Sequence, residues 1–367
     1  MSKSGNGAIE VAVVGVGRMG LNHARIYRQI DGANLVAVVD IDAERAATVA
    51  DEFGCAAYTN YEQLLMSHPQ LRGVTVAVPT AQHRQITMLL LQRDISCLVE
   101  KPLAATMQQA KEIADLAKTR SAILQVGHTE RFNPAVQAVM AMGVTPRFIE
   151  VDRISPMTFR SLDVGVVMDM MSHDLDIVLT LADSPLTKVD ATGVAVFGGH
   201  EDIANARLVF ASGCVANLTA SRLALKTERK MRLFSEHCYV SLDYQQRKGM
   251  VIRQSENAQM LDHVREQLAA GTDLSNLDYG DLVQIEPLTM DLSADAQDPL
   301  TAQLSSFVRA IRTGQPPAVN AAAGYSTVSA AERVLRAIRS HKWQGLVEPH
   351  VAMGFKWPSS RPEVVTD

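Results

Sequence analysis

Three glycines that follow a short apolar run constrain the fold of this chain more than any other feature. Residues 9–14 are predicted to form a buried strand and residues 19–30 a helix, with the glycines in the turn between them. In such a turn the first glycine permits a tight bend, the second lets a pyrophosphate approach the backbone, and the third lets the helix pack against the sheet. Free N–H groups at the start of the helix then face the phosphates. The residues expected to contact a dinucleotide here are Gly15, Gly17, Arg18, Met19 and Gly20.

A carboxylate stands where a dinucleotide-binding domain needs one. Residues 35–39 form a second apolar run that ends in Asp40, twenty residues past Gly20. A carboxylate at this spacing accepts hydrogen bonds from the ribose diol of the cofactor. Asp42 adds a second negative charge and no arginine adjoins Asp40 in the sequence, so a 2′-phosphate should be repelled. The sequence therefore predicts NAD rather than NADP, against the simpler alternative of a doubly wound domain with an ordinary acidic loop.

The first 128 residues alternate short apolar strands with helices. This alternation is typical of a doubly wound parallel sheet with helices on both faces. Ligands of such sheets bind at the carboxyl ends of the strands. Residues 78–80 and 100–102 follow two of these strands, so both segments are expected to face the cofactor. The residues assigned to the cofactor from these two segments are Pro79, Thr80, His83, Glu100 and Lys101.

The pattern changes near residue 129, where runs with partial polar–apolar alternation begin. Such runs favour a mostly antiparallel sheet with one face covered by helices. The predicted fold class is α/β, with an N-terminal Rossmann domain and a C-terminal α/β domain that has a large, mostly antiparallel open sheet. The predicted boundaries are residues 1–128 for the first domain, 129–350 for the second, and 351–367 for a loose tail.

Composition and charge argue against several classes of protein. A formal net charge of −5 over 367 residues disfavours nucleic acid or an anionic membrane as the main partner. No apolar run approaches the length that spans a bilayer. The four cysteines form no C-x-x-C pair and are interpreted as buried, reduced thiols of a cytoplasmic protein. The polar, glycine-rich start of the chain does not have the pattern of a signal peptide.

Two segments carry groups suited to the oxidation of an alcohol. Lys101 ends an apolar strand, and Pro102 restricts it to extended geometry. Asp169 and His173 are four residues apart in a predicted helix over residues 166–181, so both should project from one face. A carboxylate beside an imidazole can fix its tautomer and raise its basicity, as a general base requires. The alternatives are an exposed Asp–His pair on a helix and an ordinary surface lysine.

The same helical segment offers a weaker case for a metal site. Asp174 and Asp176 are close to Asp169 and His173 in the sequence, and all four residue types can bind metals. However, Asp174 and Asp176 should point away from the face that carries the other two. No second histidine has the spacing of a ligand. The sequence therefore predicts no metal.

Taken in their order along the chain, these motifs resemble those of the Gfo/Idh/MocA sugar dehydrogenases. The motifs are Gly15-x-Gly17-x-x-Gly20-x-x-His23, Pro79-x-x-x-His83, Glu100-Lys101-Pro102 and Asp169-x-x-x-His173. The resemblance implies a Rossmann domain followed by an α/β domain whose open sheet forms the interface of a homodimer or homotetramer. It also implies that Lys101 contacts both the nicotinamide and the substrate hydroxyl and that His173 is the acid–base residue, with Asp169 beside it. Glu100 is then expected to bind the cofactor or to position Lys101.

A further segment narrows the substrate. Residues 126–134 are similar to those of family members that act on nucleotide-activated amino sugars, which include UDP-N-acetylglucosamine 3-dehydrogenases. The similarity implies that the 3-hydroxyl of the sugar is oxidised to a ketone. Residues expected to bind this substrate, besides His173, are His128, Arg131 and Asn133 at the sugar and Arg153 and Arg160 at the diphosphate. The alternatives are a capping turn between the domains for the segment and surface positions for the last two arginines.

Other functions are compatible with parts of this pattern. The same chemistry could act on a free polyol or monosaccharide such as inositol. A metal-dependent hydrolase or lyase is a second alternative, and a non-catalytic regulator that senses the cofactor is a third. The regulator is disfavoured because the chain keeps Lys101 and His173. The net charge is negative and the sequence contains no basic helix, which also argues against a regulator that binds DNA.

Overall fold

The computed structural model of the protein describes residues 7–158, 164–197, 199–254, 258–271, 283–290 and 298–342. The predicted tail, residues 351–367, lies outside these ranges. None of the helices in the described ranges is long and apolar enough to span a membrane. All four cysteines are free thiols; Cys97 and Cys214 are buried, and Cys55 and Cys238 are partly exposed.

The N-terminal part of the chain forms a six-stranded parallel sheet, as predicted. Its strands are β1 (Ile9–Val14), β2 (Ala33–Val39), β3 (Ala56–Tyr58), β4 (Leu71–Val76), β5 (Ser96–Glu100) and β6 (Leu124–Gly127). Its helices are α1 (Arg18–Tyr27), α2 (Ala43–Phe53), α3 (Tyr61–Ser67), α4 (Thr80–Gln92) and α5 (Met107–Lys118). The strand order is β3-β2-β1-β4-β5-β6, so the direction of winding reverses between β1 and β4. A ligand crevice is expected at this reversal, beyond the carboxyl ends of the strands.

The second part of the chain forms the large open sheet predicted from its partial alternation. Its strands are β7 (Phe148–Ile154), β8 (Leu186–Val194), β9 (Ile203–Phe210), β10 (Val215–Ser221), β11 (Glu228–Phe234), β12 (Cys238–Asp243), β13 (Lys248–Gln254) and β14 (Val283–Pro287). The order is β14-β13-β12-β11-β7-β10-β9-β8, and each neighbouring pair is antiparallel except β7 and β10. The helices are α6 (Pro134–Ala141), α7 (Ser172–Ala182), α8 (Ala258–Ala269), α9 (Pro299–Thr313) and α10 (Ala321–Ser340).

Short irregular turns precede two of these helices. A 3₁₀ turn spans Thr129–Phe132 before α6, and a π-helical turn spans Val167–Met171 before α7. The sequence predicts one regular helix over residues 166–181, whereas the structure widens its first turn. There the N–H of Ser172 donates to the carbonyl of Val167, five residues back. Helices of this type are rare and are often found at functional sites.

The last two helices join the two parts of the molecule. Phe307 and Ile311 of α9 pack in one core with Val11 of β1. In α10, Val328 belongs to the core beneath the parallel sheet, whereas Val334 belongs to the core of the antiparallel sheet. The domain division at residue 128 stays a prediction, but this packing places a segment from beyond it in the first core. Sequence periodicity identifies the helices and carries no information on which sheet they cover.

Candidate active site

The glycine turn between β1 and α1 leaves room that only glycines can provide. Gly15 has a left-handed φ of +87°, and a Cβ atom there would lie 2.6 Å from the carbonyl oxygen of Ala77. A Cβ atom on Gly20 would collide with the carbonyl oxygen of Gly15, so the helix packs closely on the turn. Gly17 faces open space at the start of α1, whose first turn contains Arg18 and Met19. This geometry fits a pyrophosphate held by backbone N–H groups.

A cleft of about 460 Å³ extends from this turn along the strand ends. It is lined by Gly15 and Gly17, by Asp40 at the end of β2, and by Val78 and Pro79 at the end of β4. Pro79 and the following Thr80 begin α4, as the predicted location at a strand end requires. The cleft lies at the reversal of strand order, so the residues present fit a dinucleotide.

Asp40 is buried and its carboxylate already accepts several hydrogen bonds. Oδ2 accepts from the N–H of Val16 at 2.9 Å, and Oδ1 accepts from the N–H of Asp42 at 3.0 Å. The guanidinium of Arg45 lies 3.2 Å from Oδ1 and also pairs with Asp42. The expectation that Asp40 has no neighbouring arginine is therefore wrong in three dimensions. Arg45 offsets part of the negative charge at the predicted ribose site.

Lys101 connects the parallel sheet to the second domain. Its Nζ donates to the main-chain oxygen of Asp169 at 2.7 Å and lies 3.4 Å from Asp169 Oδ1. The peptide bond between Lys101 and Pro102 is cis. The lysine side chain is 19% exposed, so it is mostly shielded from bulk solvent.

His173 lies four residues beyond Asp169 and lines a cavity of about 310 Å³ together with it. Its Nδ1 is buried and has no hydrogen-bond partner among the described residues. Burial, followed by the positive charges of Lys101 and Arg153, holds the pKa of His173 well below its usual value. The imidazole is therefore neutral near pH 7 and able to accept a proton.

Asp169 does not support His173 in the way the sequence suggests. Within the described ranges no hydrogen bond joins the Asp169 carboxylate to the imidazole, and the carboxylate faces Lys101 instead. The widened π-helical turn brings the Asp169 main-chain oxygen to the lysine as well. Asp169 thus positions the amine, and burial rather than a carboxylate partner sets the protonation state of His173.

Glu100 lies directly behind Lys101. Its Oε1 is 3.0 Å from His23 Nε2, and its Oε2 accepts the N–H of Lys101 at 3.3 Å. Burial acts to raise the pKa of Glu100, but the neighbouring His23 and Lys101 outweigh it and the pKa lies below its usual value. The carboxylate is therefore ionised, and it stabilises the loop that carries the lysine.

His83 is buried between the two strand-end loops. Its Nδ1 lies 2.8 Å from the carbonyl oxygen of Pro102, and its Nε2 lies 2.9 Å from that of Val78. Both ring nitrogens therefore face carbonyl oxygens; burial lowers the pKa of His83, and the neutral ring, with its single N–H, donates to one of the two. The arrangement differs from the direct cofactor contact expected from the sequence, because His83 instead holds together two loops that border the cleft.

The residues predicted to bind the sugar are largely occupied by protein contacts. Arg131 forms a buried bidentate ion pair with Asp176, with N–O distances of 2.8 and 2.7 Å. Asn133 Oδ1 accepts the N–H of Ala135 and so caps α6, which is the alternative reading of this segment. His128 is buried, and neither of its ring nitrogens has a hydrogen-bond partner in the part of the chain that the structure describes. Of the three, His128 is the one whose side-chain polar atoms have no protein partner in the described ranges, and it is 1% exposed.

Arg153, predicted to bind a diphosphate, is buried and paired. It donates to both oxygens of Asp174, at 2.7 and 2.8 Å, and to Glu130 Oε1 at 3.1 Å. Arg160 lies outside the described residues. Asp174, one of the residues weighed as a metal ligand, is paired with Arg153, and no group of three or more potential metal ligands occurs in the described ranges.

Sequence reasoning missed two arginines near the site. Arg45 could have been found, because Asp42 caps α2 and therefore places Arg45 in the first turn, beside the end of β2. Arg229 lines the cavity of His173 because β11 pairs with β7, where it stands opposite Arg153 in register. No local motif indicates that pairing.

Comparisons with known proteins show which family both parts of the chain resemble. The profile of the oxidoreductase family with an NAD-binding Rossmann fold, GFO_IDH_MocA, matches residues 9–128, and that of the GFO/IDH/MocA C-terminal domain matches residues 136–240. The UDP-N-acetylglucosamine 3-dehydrogenase of Acidithiobacillus ferrooxidans is 32% identical over 90% of this chain and 98% of its own. A solved structure of that enzyme, GnnA, superposes with a TM-score of 0.78 and covers 90% of this chain and 97% of its own.

More distant relatives act on other compounds. The scyllo-inositol 2-dehydrogenase (NAD(+)) of Bacillus subtilis is 27% identical over 58% of this chain and 67% of its own. Levoglucosan dehydrogenase in complex with NADH is 17% identical and superposes with a TM-score of 0.75, over 90% of this chain and 97% of its own. The last similarity shows a shared fold alone.

The environment of Asp40 predicts how cofactor choice can be altered. In Asp40→Ala, we expect the Kd of NADH to rise roughly 10- to 100-fold, because hydrogen bonds to a charged acceptor are lost. NADPH should bind better than in the wild type, because Arg45, which keeps Asp42 as a partner, loses one of its two carboxylates and can meet a 2′-phosphate. Fluorescence titration with both nucleotides measures the change.

The double variant Asp40→Ala/Arg45→Ala is the matched control. It should lose the gain in NADPH binding while keeping the loss in NADH binding. An unchanged ratio of the two affinities in Asp40→Ala would show that this carboxylate is not at the ribose.

Proposed function

Because the chain belongs to the Gfo/Idh/MocA family and is an NAD-dependent sugar dehydrogenase, we propose that it oxidises the 3-hydroxyl of UDP-N-acetylglucosamine to a ketone. The observation that carries this proposal is the hydrogen bond from Lys101 Nζ to Asp169, because Asp169 and His173, four residues apart, line one cavity. The similarity to the Acidithiobacillus enzyme over nearly its whole length supports the choice of sugar. The four free thiols support a reducing compartment such as the cytoplasm.

The residues at this junction divide the reaction between them. When bound, NAD supplies the acceptor for the hydride that leaves the carbinol carbon. His173 takes the proton of the hydroxyl, since its low pKa keeps the imidazole neutral. Lys101 stabilises the negative charge that develops on the same oxygen. Asp169 holds the lysine amine through its main-chain oxygen, so the amine does not have to be ordered during the reaction.

A free polyol or monosaccharide is the second candidate substrate. The observation that favours it is the pairing of Arg153 with Asp174 and Glu130, which occupies an arginine expected to meet a diphosphate. The relatives that act on inositol support the same candidate. Both candidate substrates require the same base and the same cation. They differ in the group attached to the sugar ring, so only contacts with that group can distinguish them.

We also propose that the protein is a homodimer or homotetramer assembled through the open sheet. Ile149 and Val151 of β7 face the core that includes helix residues, whereas Phe234, on the opposite face of the sheet, is 36% exposed in the part of the chain that the structure describes. On that opposite face Phe148, Phe234 and Tyr239 stand in register on three adjacent strands, with ring centroids 5.8 and 4.9 Å apart. An aromatic cluster of this kind on a sheet surface is typical of a protein interface.

Substrate choice is tested directly by the appearance of NADH. The purified protein is incubated with NAD and a panel of UDP-linked hexosamines, free N-acetylglucosamine and inositols. We expect absorbance of NADH with UDP-N-acetylglucosamine at a kcat/KM well above that of each free compound. Turnover of inositol alone would favour the second candidate, and turnover of neither class would contradict both.

The assigned roles predict the behaviour of two variants. Lys101→Met and His173→Ala should each lower kcat by roughly 10²- to 10⁴-fold, because each removes a group that acts on the reacting oxygen. The Kd of NADH should stay within about threefold of the wild type, since the glycine turn is untouched. Steady-state kinetics and fluorescence titration measure the two effects separately.

Exposed residues of the same type serve as controls. Lys111→Met removes a lysine paired only with Asp115 on α5, and His200→Ala removes a histidine on an exposed loop. Both should keep normal kcat. Near-normal turnover in Lys101→Met or His173→Ala would contradict the roles given to them.

The aromatic cluster on the open sheet predicts the state of assembly. Sedimentation of the wild type should give a mass at least twice that of one chain. Phe234→Lys should shift the protein towards monomer, because it places a charge within the aromatic cluster. The exposed Leu225→Lys is the control and should leave the mass unchanged. A wild-type monomer would refute the proposed interface.

A further inference from the structure

Four arginines line the cavity that contains His173. The cavity lies where the glycine turn, the end of β7 and the π-helical turn meet. The arginines are Arg18, Arg153, Arg222 and Arg229. The partners that each guanidinium already has decide which of them can meet a ligand.

Two of the four are held by buried carboxylates. Arg153 is paired with both oxygens of Asp174, and Arg222 Nε donates to Asp202 Oδ1 at 2.6 Å. Arg222 Nη1 also donates to a main-chain oxygen at 2.8 Å. Moving either arginine onto a ligand would leave a buried carboxylate without its counter-charge, which is strongly unfavourable. These two side chains therefore form a fixed wall.

Arg229 is differently placed. Its side chain is 44% exposed, and its Nη1 lies 3.3 Å from Glu130 Oε1. The same oxygen already accepts from Arg153 at 3.1 Å. If Arg229 turned away, Glu130 would keep Arg153 as its partner, and a half-exposed ion pair of this kind is worth little. Arg229 can therefore leave Glu130 at low cost.

Arg18 is the second cation available at the cavity. It is the exposed first residue of α1, on the side formed by the glycine turn. Over the ranges that the structure describes, no carboxylate lies within ion-pair distance of its guanidinium. One wall of the cavity thus carries Arg18 and another carries Arg229.

We infer that Arg229 and Arg18 hold the diphosphate of the nucleotide-activated sugar. The inference rests on the proposed function and names the subsite that this substrate needs. A diphosphate on the anomeric carbon lies only one sugar ring away from the 3-hydroxyl, and this single cavity contains both arginines and His173. A guanidinium group can bind two phosphate oxygens at once through parallel hydrogen bonds, a bidentate geometry that an ammonium group lacks. Arg229 and Arg18 thus take the role at the diphosphate that is predicted for Arg153 from the sequence.

Inhibition by UDP tests the assignment without relying on turnover of a free sugar. With NAD saturating, UDP is titrated against UDP-N-acetylglucosamine in the wild type, Arg229→Ala, Arg229→Lys, Arg18→Ala and Arg84→Ala. Arg84 is the matched control, because it is 45% exposed, pairs with one carboxylate, Glu112, and does not line the cavity. Uridine is the control ligand, since it lacks phosphate.

Loss of the diphosphate clamp formed by Arg229 and Arg18 should weaken substrate binding and change kcat much less. In Arg229→Ala the inhibition constant of UDP and the KM of UDP-N-acetylglucosamine should both rise roughly 10- to 100-fold, as expected when hydrogen bonds between charged groups are lost. Arg229→Lys should recover part of the loss, and Arg18→Ala should weaken UDP in the same direction. Arg84→Ala should match the wild type, and inhibition by uridine should be equal in all five proteins.

Each contrary outcome identifies what has failed. If the wild type oxidises UDP-N-acetylglucosamine but Arg229→Ala and Arg84→Ala bind UDP equally well, the clamp is wrong and the proposed function stands. If the wild type oxidises only free sugars, the proposed function fails. A lower kcat with unchanged UDP inhibition would assign Arg229 to the chemistry and also overturn the clamp. If Arg18→Ala weakened the binding of NADH but not that of UDP, Arg18 would not be part of the clamp. Unchanged circular dichroism establishes that each variant is folded.

Discussion

The hydrogen bond from Lys101 Nζ to the main-chain oxygen of Asp169 is the contact on which the site depends. It joins the end of β5 to the turn before α7, and so brings a lysine of the parallel sheet to the segment that carries the proposed base, His173. A main-chain oxygen orders the amine without cancelling its charge. The Asp169 carboxylate is farther away, at 3.4 Å, and 40% exposed, so it weakens that charge only in part. Lys101 therefore remains a cation that can stabilise a developing alkoxide.

Buried ion pairs determine how α7 presents His173. Asp174 is paired with Arg153 of β7, and Asp176 with Arg131 of the 3₁₀ turn before α6. Burying such charges costs desolvation energy, so the pairs add little net stability, but breaking one leaves an isolated charge in the interior. Rotation of α7 is restricted for that reason. The positive field of Arg153 also acts with burial and Lys101 to keep His173 unprotonated.

Local patterns were sufficient for most of the fold and for the cofactor cleft. The parallel sheet follows from the alternation of strands and helices over the first 128 residues, and the glycine turn and Asp40, which belong to residues 15–40, line one cleft. Lys101 and His173 were each identified from the chemistry that their segments can perform. Their meeting could be expected only from the resemblance to a family, because no short-range pattern connects residues 101 and 173.

Features that arise from pairing between distant strands could not be read in the same way. The sequence marks Arg153 as a cation before the catalytic helix, but not that Asp174 and Glu130 neutralise it. Arg229 reaches the cavity only because β11 lies beside β7 in the sheet. A helix-period count likewise treats residues 166–181 as regular, since the extra residue in the π-helical turn leaves no trace in the order of polar and apolar side chains.

A row of buried polar side chains connects the helix after the glycine turn to the segment that carries Lys101. Tyr27 OH lies 2.8 Å from Thr75 Oγ1, which is 3.5 Å from His23 Nδ1, and the other nitrogen of that ring meets Glu100. His23 and Tyr27 belong to α1, whose N-terminus is where the pyrophosphate is expected, and Glu100 precedes Lys101. Since these four side chains are largely buried, displacing one of them leaves its neighbour without a partner. Through these buried contacts α1, at whose N-terminus the cofactor is expected, is linked within the core to the strand end that carries the amine.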